Sequence, residues 1–437
     1  MSRVTGRAHP GDHLATIDAD RWPGVATVPS IATTAMRAQR AESAFARAVT
    51  AAGLSFEGSS PDLVVDHAEL FSRIAAHGWI GLAEGYLAGE WHTASSQKLV
   101  DVLSTLITAK YRPKTVRLKP SSGISGEEPP ASLVAHYSGD GMSPFQGHFA
   151  TGVPTTERVM VKSWARGAGK GNEPSRHYVD VTEFSAPLNT LRRDLADAQS
   201  RSAEMLLEAT HTQAGTHLLV SPAPGAALPL AGTRRGATVD CVVPDADDAR
   251  VLKEMLVFAG AADAVRTMPP EELGSTARAF DAVVSAEHLE TLPPRSKAGH
   301  LADIDAVLAP GGRVAMQTVV RTEAMTPAAN AALESLRAYI WPGLSYASSE
   351  ELAKLVDRHT GLRVIAETRA PEHLVASLSL QRATFDGRAR DAAADGFDPV
   401  YRRLWTWQFA LREALARLGM LNLTQLTLVP RSRRGRR

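Results

Sequence analysis

A chain of 437 residues with 44% hydrophobic and 22% charged side chains has room for more than one domain and is too apolar to be wholly disordered. Its 33 glycines and 26 prolines are near average for the length, which excludes a collagen, and the near-neutral balance of +1 leaves no global field to attract nucleic acid. One cysteine, Cys241, excludes an internal disulfide and any multi-cysteine metal site.

Residues 1–20 are polar and are expected to be flexible. They hold no apolar segment after the basic residues, so they do not read as a secretory signal. No apolar run approaches the 18 or so residues needed to cross a bilayer, and the expected location is cytoplasmic. A helical N-terminal domain is expected over 21–118. Ala35–Ala52 has helical composition, and Leu70, Ile74 and their neighbours repeat at helical spacing. The stretch from Gly78 to Trp91 is dense in glycine and aromatics, and Leu99, Val100, Leu103 and Leu106 mark a further helix. Residues 119–132, rich in Ser, Gly and Pro, read as a linker.

A second domain is expected over 133–430. The segment Ala165–Ser175 contains GAGKG, but Trp164 and Gly171 stand where a phosphate loop needs glycine and a hydroxyl residue, so it reads as a mobile loop. From Leu188 onward, apolar strands alternate with amphipathic helices. The strands begin near Thr216, Thr238, Phe280, Arg313, Leu362 and Leu423, and the helices span Leu191–Leu206, Val251–Ala259 and Leu301–Leu308. This order implies an α/β, doubly wound sheet covered on both faces. A basic tail (Arg431, Arg433, Arg434, Arg436, Arg437) closes the sequence.

The order of strands and helices up to Leu308-Ala-Pro-Gly-Gly-Arg-Val314 is similar to that of a class I methyltransferase. Several motifs are more specific. Val284-Ser-Ala-Glu-His-Leu-Glu290 resembles the VSVEMIE segment of the cyclopropane fatty acid synthase family, and Tyr339-Ile-Trp-Pro-Gly343 resembles its YIFPGG. Gly396-Phe-Asp-Pro-Val-Tyr-Arg-Arg-Leu-Trp405 resembles GFDExFxRMW, and Ile80 to Trp91 resembles IGFGESYMAGEW of the long actinobacterial members. Ala135-His136-Tyr137 opens the block that reads HYDxSNDxF. The resemblance implies a Rossmann-like, seven-stranded sheet preceded by the helical domain. It also implies S-adenosylmethionine-dependent methylation of the double bond of an unsaturated fatty acyl lipid, with a bound bicarbonate removing the proton.

The same resemblance assigns site residues. The family's cofactor loop reads LEIGxGWG; glycines let the backbone approach the cofactor and present N–H groups to it. In one register Val220, Pro222 and Pro224 take the glycine positions; in the other Ser221, Ala223 and Gly225 do. Cofactor-binding residues implied are Ser221, Gly225, Asp245 and Tyr137. Asp245 reads either as a ribose acceptor or as the cap of the following helix. The implied catalytic set is Glu290, Tyr339, His136 and Gln317. Glu290 reads as a base or as a structural carboxylate, and Tyr339 as a ligand or as a packed aromatic. The family's bicarbonate cysteine falls near Thr156, and the acid of HYD has become Ser138. Among the fourteen histidines no metal-binding spacing occurs.

These departures imply a catalytically degenerate relative that keeps the fold and an acyl-binding pocket. The alternative is an active methyltransferase with Glu290 as base. The implied partners are the acyl lipid, a membrane surface met by the basic tail, and either a second copy or an active paralogue.

Overall fold

Short apolar runs at positions 217–220, 238–242 and 280–286 are buried on both sides and form the centre of one mixed sheet. In this computed structural model residues 12–30, 34–56, 59–113, 129–171, 173–274 and 276–431 are described. The sheet has nine strands: β1 (Pro154–Lys162), β2 (Arg176–Phe184), β3 (His217–Val220), β4 (Thr238–Val242), β5 (Val265–Met268), β6 (Phe280–Ala286), β7 (Leu308–Arg321), β8 (Leu362–Arg369) and β9 (Leu421–Pro430). Their spatial order is β1-β2-β8-β9-β7-β6-β3-β4-β5. Strands β5, β4, β3, β6 and β7 run parallel, while β9 is antiparallel to both neighbours.

Strand periodicity sorts the core into two layers. Leu218, Val220, Val239, Cys241, Val284 and Ala315 pack on one face. Leu219, Val242, Val283, Val314, Met316 and Leu428 pack on the other. Neighbouring strand residues point to opposite faces, so each strand feeds both layers and reads as a continuous apolar run.

The six strands placed from sequence are β3, β4 and β6 to β9, and β5, not placed there, brings the count to the seven that the resemblance implies. The hairpin β1–β2 extends them, with β2 parallel to β8. No strand was expected there because the hairpin is apolar on one face only, where Val159, Val161, Val179 and Val181 face the core. Its other face carries Thr156, Arg158, Asp180 and Thr182. The Ala165–Ser175 segment, expected to be a mobile loop, is the hairpin's connection. It is closed by Gly169 N–H donating to Glu173 O at 2.8 Å.

The chain divides into two compact units, and their limits differ from the expected ones. The helical unit takes the described residues up to 113 together with Glu323–Pro342 and Arg382–Met420. The sheet unit takes the described residues from 129 to 322, Gly343–Gln381 and 421–431. The helices Pro327–Tyr339 and Pro399–Arg417 were expected in the second domain. They pack instead on Trp79–Ala88 and Ser96–Thr108. Reading apolar periodicity along the chain identifies such helices but not which distant helix covers them.

Within the helical unit, Glu69–His77 and Trp79–Ala88 meet at Gly81, where a Cβ would lie 2.0 Å from the Arg73 carbonyl oxygen. Only glycine permits that approach. The Arg73 guanidinium is fully buried, bonded to Glu90 at 2.8 Å and to the carbonyls of Gly24, Val25 and Thr27. Residues 12–20, expected to be flexible, include a single turn at Asp12–Leu14, and the His13 ring stacks on His67 at 3.8 Å. That contact fixes a segment whose polarity alone gives no sign of packing. Most of the expected linker at 119–132, and the tail beyond Arg431, lie outside the described residues. Among those described, no helix is long and apolar enough to cross a membrane.

Candidate functional site

Ligands of open α/β sheets bind beyond the carboxyl ends of the strands, so the chain leaving β3 is the first place to look. There Ser221 N–H donates to Val284 O of β6 at 3.0 Å, and Ala223 N–H donates to Val242 O of β4 at 2.9 Å. Pro222 and Pro224 have no N–H. Every amide from 221 to 224 is therefore either absent or already used by the sheet.

Gly225 is the next residue. A Cβ there would lie 2.2 Å from the Met142 carbonyl oxygen, so that carbonyl presses directly on the loop. Asp140 fixes the approach. Its carboxylate accepts from Met142 N–H, Ser143 N–H and the Ser143 hydroxyl at 2.7–2.9 Å. Beside the loop lies a cleft lined chiefly by Val134, Met142, Pro224, Val243, Leu252 and Met255. Asp245 caps the helix Ala246–Phe258, accepting from Asp247 N–H at 2.8 Å and Asp248 N–H at 3.0 Å. Tyr137 and His136 end the helix Ala131–Tyr137, both buried.

A sulfonium nucleoside with an amino-acid tail needs inward-facing donors for its carboxylate and acceptors for its ribose hydroxyls. Residues 221–224 offer two prolines and two amides already bonded, and the cleft walls are largely apolar with Asp248 among them. Among residues 221–224 no amide is left to meet such a tail.

Glu290 and Gln317 have separate hydrogen-bond partners. Glu290 lies in the turn Leu289–Thr291, 4% exposed. One of its oxygens accepts from the Thr318 hydroxyl at 2.7 Å and the other from Val319 N–H at 3.0 Å. The nearby Lys297 ammonium donates to Ser345 O at 2.8 Å and to Leu289 O. Burial pushes its pKa down to about 8, against the attraction of Glu290.

Gln317 neighbours Thr318 on β7, so the two side chains face opposite sides of the sheet. Its amide donates to Gln146 O and to Glu287 Oε1, each at 2.9 Å, and its oxygen accepts from Gln425 at 2.9 Å.

Tyr339 belongs to the helical unit. It is fully buried, and its hydroxyl donates to Glu84 Oε1 at 2.8 Å, while Glu84 Oε2 meets His77 Nδ1 at 2.8 Å. Burial, followed by the Glu84 charge, raises the phenol well above its usual pKa. Thr156, at the position of the family's cysteine, sits on the edge strand β1 and shares a hydrogen bond with Thr182 at 2.8 Å. Cys241 is buried in β4, and burial pushes its thiol pKa up. Among the described residues no group of three or more His, Cys, Asp or Glu is placed to hold a metal.

Sequence reading missed the polar knot around Gln317. Glu287, a left-handed residue at φ +53°, also accepts from Gln146 N–H at 2.6 Å. Ser202 donates to Gln146 O and accepts from His148 Nδ1 at 2.7 Å. The only signal available was that Glu287 lies three residues before Glu290 in one motif.

Against known proteins, the model of the family described as mycolic acid cyclopropane synthetase matches residues 182–426, more than half of the chain. The chain belongs to the mycolic acid cyclopropane synthetase family. The matched span starts inside β2 and ends inside β9, so it covers the core of the sheet and omits β1. The tuberculostearic acid methyltransferase UfaA1 of Mycobacterium tuberculosis is 28% identical to this family member over 95% of the chain and 96% of the relative. The cyclopropane synthase MmaA2 of the same organism shares the fold, with a TM-score of 0.50 at 18% identity over 56% of this chain and 88% of that one. A structure of the mycolic acid cyclopropane synthase CmaA1 with SAH and CTAB aligns at a TM-score of 0.48 and 17% identity, over 54% and 85% of the two chains.

Proposed function

We propose that this member of the mycolic acid cyclopropane synthetase family is catalytically degenerate: it keeps the fold and an acyl-binding role and no longer binds S-adenosylmethionine. The observation that carries this reading is the stretch Ser221–Pro224, whose two amides are bonded to β4 and β6 and whose other two positions are prolines. The carbonyl pressed against Gly225, the apolar cleft and the use of Asp245 as a helix cap support it. The bicarbonate position lacks its cysteine, both oxygens of Glu290 are already accepting hydrogen bonds, and Gln317 is bonded to Gln146 and Glu287.

On this reading the protein serves the modification of fatty acyl lipids as a lipid-holding subunit, self-associated or paired with an intact paralogue. Calorimetric titration of the full chain with S-adenosylmethionine tests it. No heat of binding at millimolar ligand is expected; saturable binding in the micromolar range would refute the proposal. The mass of complexes recovered after co-expression with an intact paralogue tests the pairing.

A second reading has one observation in its favour, the nearly end-to-end similarity to a relative named as a methyltransferase. It makes Glu290 the base, and methylated product that vanishes in Glu290→Gln would establish it.

A further inference from the structure

At the turn end of the hairpin, Lys162 and Arg176 are direct cross-strand partners, and both are exposed. Like charges placed opposite one another destabilise a strand pair. The Trp164 ring beside them collects more charge: Lys162 Nζ lies 4.2 Å from its centroid, Lys354 Nζ 4.4 Å and Arg358 Cζ 5.7 Å. Arg166 and Lys170 follow, exposed, in the connecting turn.

The nearby carboxylates are committed elsewhere. Asp357 is buried and accepts the Trp164 backbone N–H at 2.6 Å, which ties the hairpin to the helix Ser349–His359. Glu350 pairs with Lys354 at 2.7 Å, and Glu173 pairs with Arg363. Among the described residues, no carboxylate lies within ion-pair distance of Lys162, Arg176 or Arg358.

We propose that this hairpin tip and the adjoining face of the helix Ser349–His359 dock on an anionic lipid bilayer. A half-buried indole among cations suits the boundary between headgroups and water, where aromatic rings with a polar edge collect and basic side chains meet lipid phosphate. The attraction is local, because the whole chain carries only +1 and a membrane's surface potential fades within a Debye length. A flat layer of closely spaced negative headgroups meets several of these cations at once. The inference is independent of whether S-adenosylmethionine binds.

The test is co-sedimentation of the full chain with vesicles of phosphatidylglycerol and phosphatidylcholine, against vesicles of phosphatidylcholine alone. Binding is expected only to the former, and weaker at 0.5 M than at 0.1 M salt, as screening requires. Lys162→Ala combined with Arg358→Ala should lower affinity about 25-fold, at about five-fold per charge removed. Both side chains are exposed, and an unchanged melting curve verifies that the variant folds. Brominated phosphatidylglycerol should quench a part of the tryptophan emission that Trp164→Phe removes.

Equal binding to neutral vesicles would overturn the proposal, and so would an unchanged affinity in the double variant. Loss of binding on replacing Arg433, Arg434, Arg436 and Arg437 by alanine, with the hairpin variant unaffected, would assign the contact to the tail instead. Retention on duplex DNA without vesicle binding would make the partner a nucleic acid and equally refute it.

Discussion

Replacing Glu290 separates a structural carboxylate from a dispensable one. Its two oxygens serve two different donors, the Thr318 hydroxyl and the Val319 amide, in a position 4% exposed. Glu290→Gln keeps an oxygen for the amide and turns its NH2 toward the hydroxyl, which rotates to accept. What is lost is the charge on two hydrogen bonds, and the expected cost is about 1 kcal/mol. Glu290→Ala leaves both donors buried and unpaired, at about 1–3 kcal/mol each, and, like Glu290→Gln, removes the anion beside Lys297. A total of about 3–5 kcal/mol is expected. Urea unfolding of the full chain, followed by far-ultraviolet circular dichroism at pH 7.5, gives the two values. A difference between the variants below about 0.5 kcal/mol would refute the account of Glu290 as a strut between the 289–291 turn and β7.

Two further outcomes follow from the packing. Burial, helped by the charges of His373 and Arg201, lowers the His148 pKa from 6.5 to about 3, so the folded protein refuses a proton that the unfolded chain accepts below pH 6.5. Stability is therefore complete above that pH and falls as the pH drops toward 3, by about 2 kcal/mol between pH 6.5 and 5 from this residue alone. His148→Gln should flatten that part of the pH dependence in urea titrations at pH 7.5 and 5.0, and an unchanged slope would count against it. Gly225→Ala sets a Cβ against the Met142 carbonyl and should cost about 2–3 kcal/mol. A neutral substitution would mean that the Asp140 turn gives way and that the loop is not pinned.

Much of the sheet was legible because its central strands are apolar on both sides, and a strand buried twice needs no partner to be recognised. Leu218, Leu219 and Val220 read as a strand whichever layer they join. The hairpin β1–β2 was not legible, since one face is charged and the other is covered only by a distant helix. The candidate site was half legible. The prolines at 222 and 224 announce missing amides from sequence alone, because the missing N–H is a property of the residue.

The rest required the tertiary structure. That the remaining amides of Ser221 and Ala223 are spent on β6 and β4 depends on neighbours more than 15 residues away in the chain. Sequence supplied Glu290, Gln317 and Tyr339 as motif members without saying where they point. Glu290 is bonded to Thr318 and Val319, Gln317 to Gln146 and Glu287, and Glu84 claims the hydroxyl of Tyr339. Sequence by itself determined which backbone groups exist and which segments are apolar enough to be buried, because those are local properties of the residues. Only the folded chain decided which of those groups are already hydrogen-bonded and which side chains share a face, because both depend on partners brought together across the sequence.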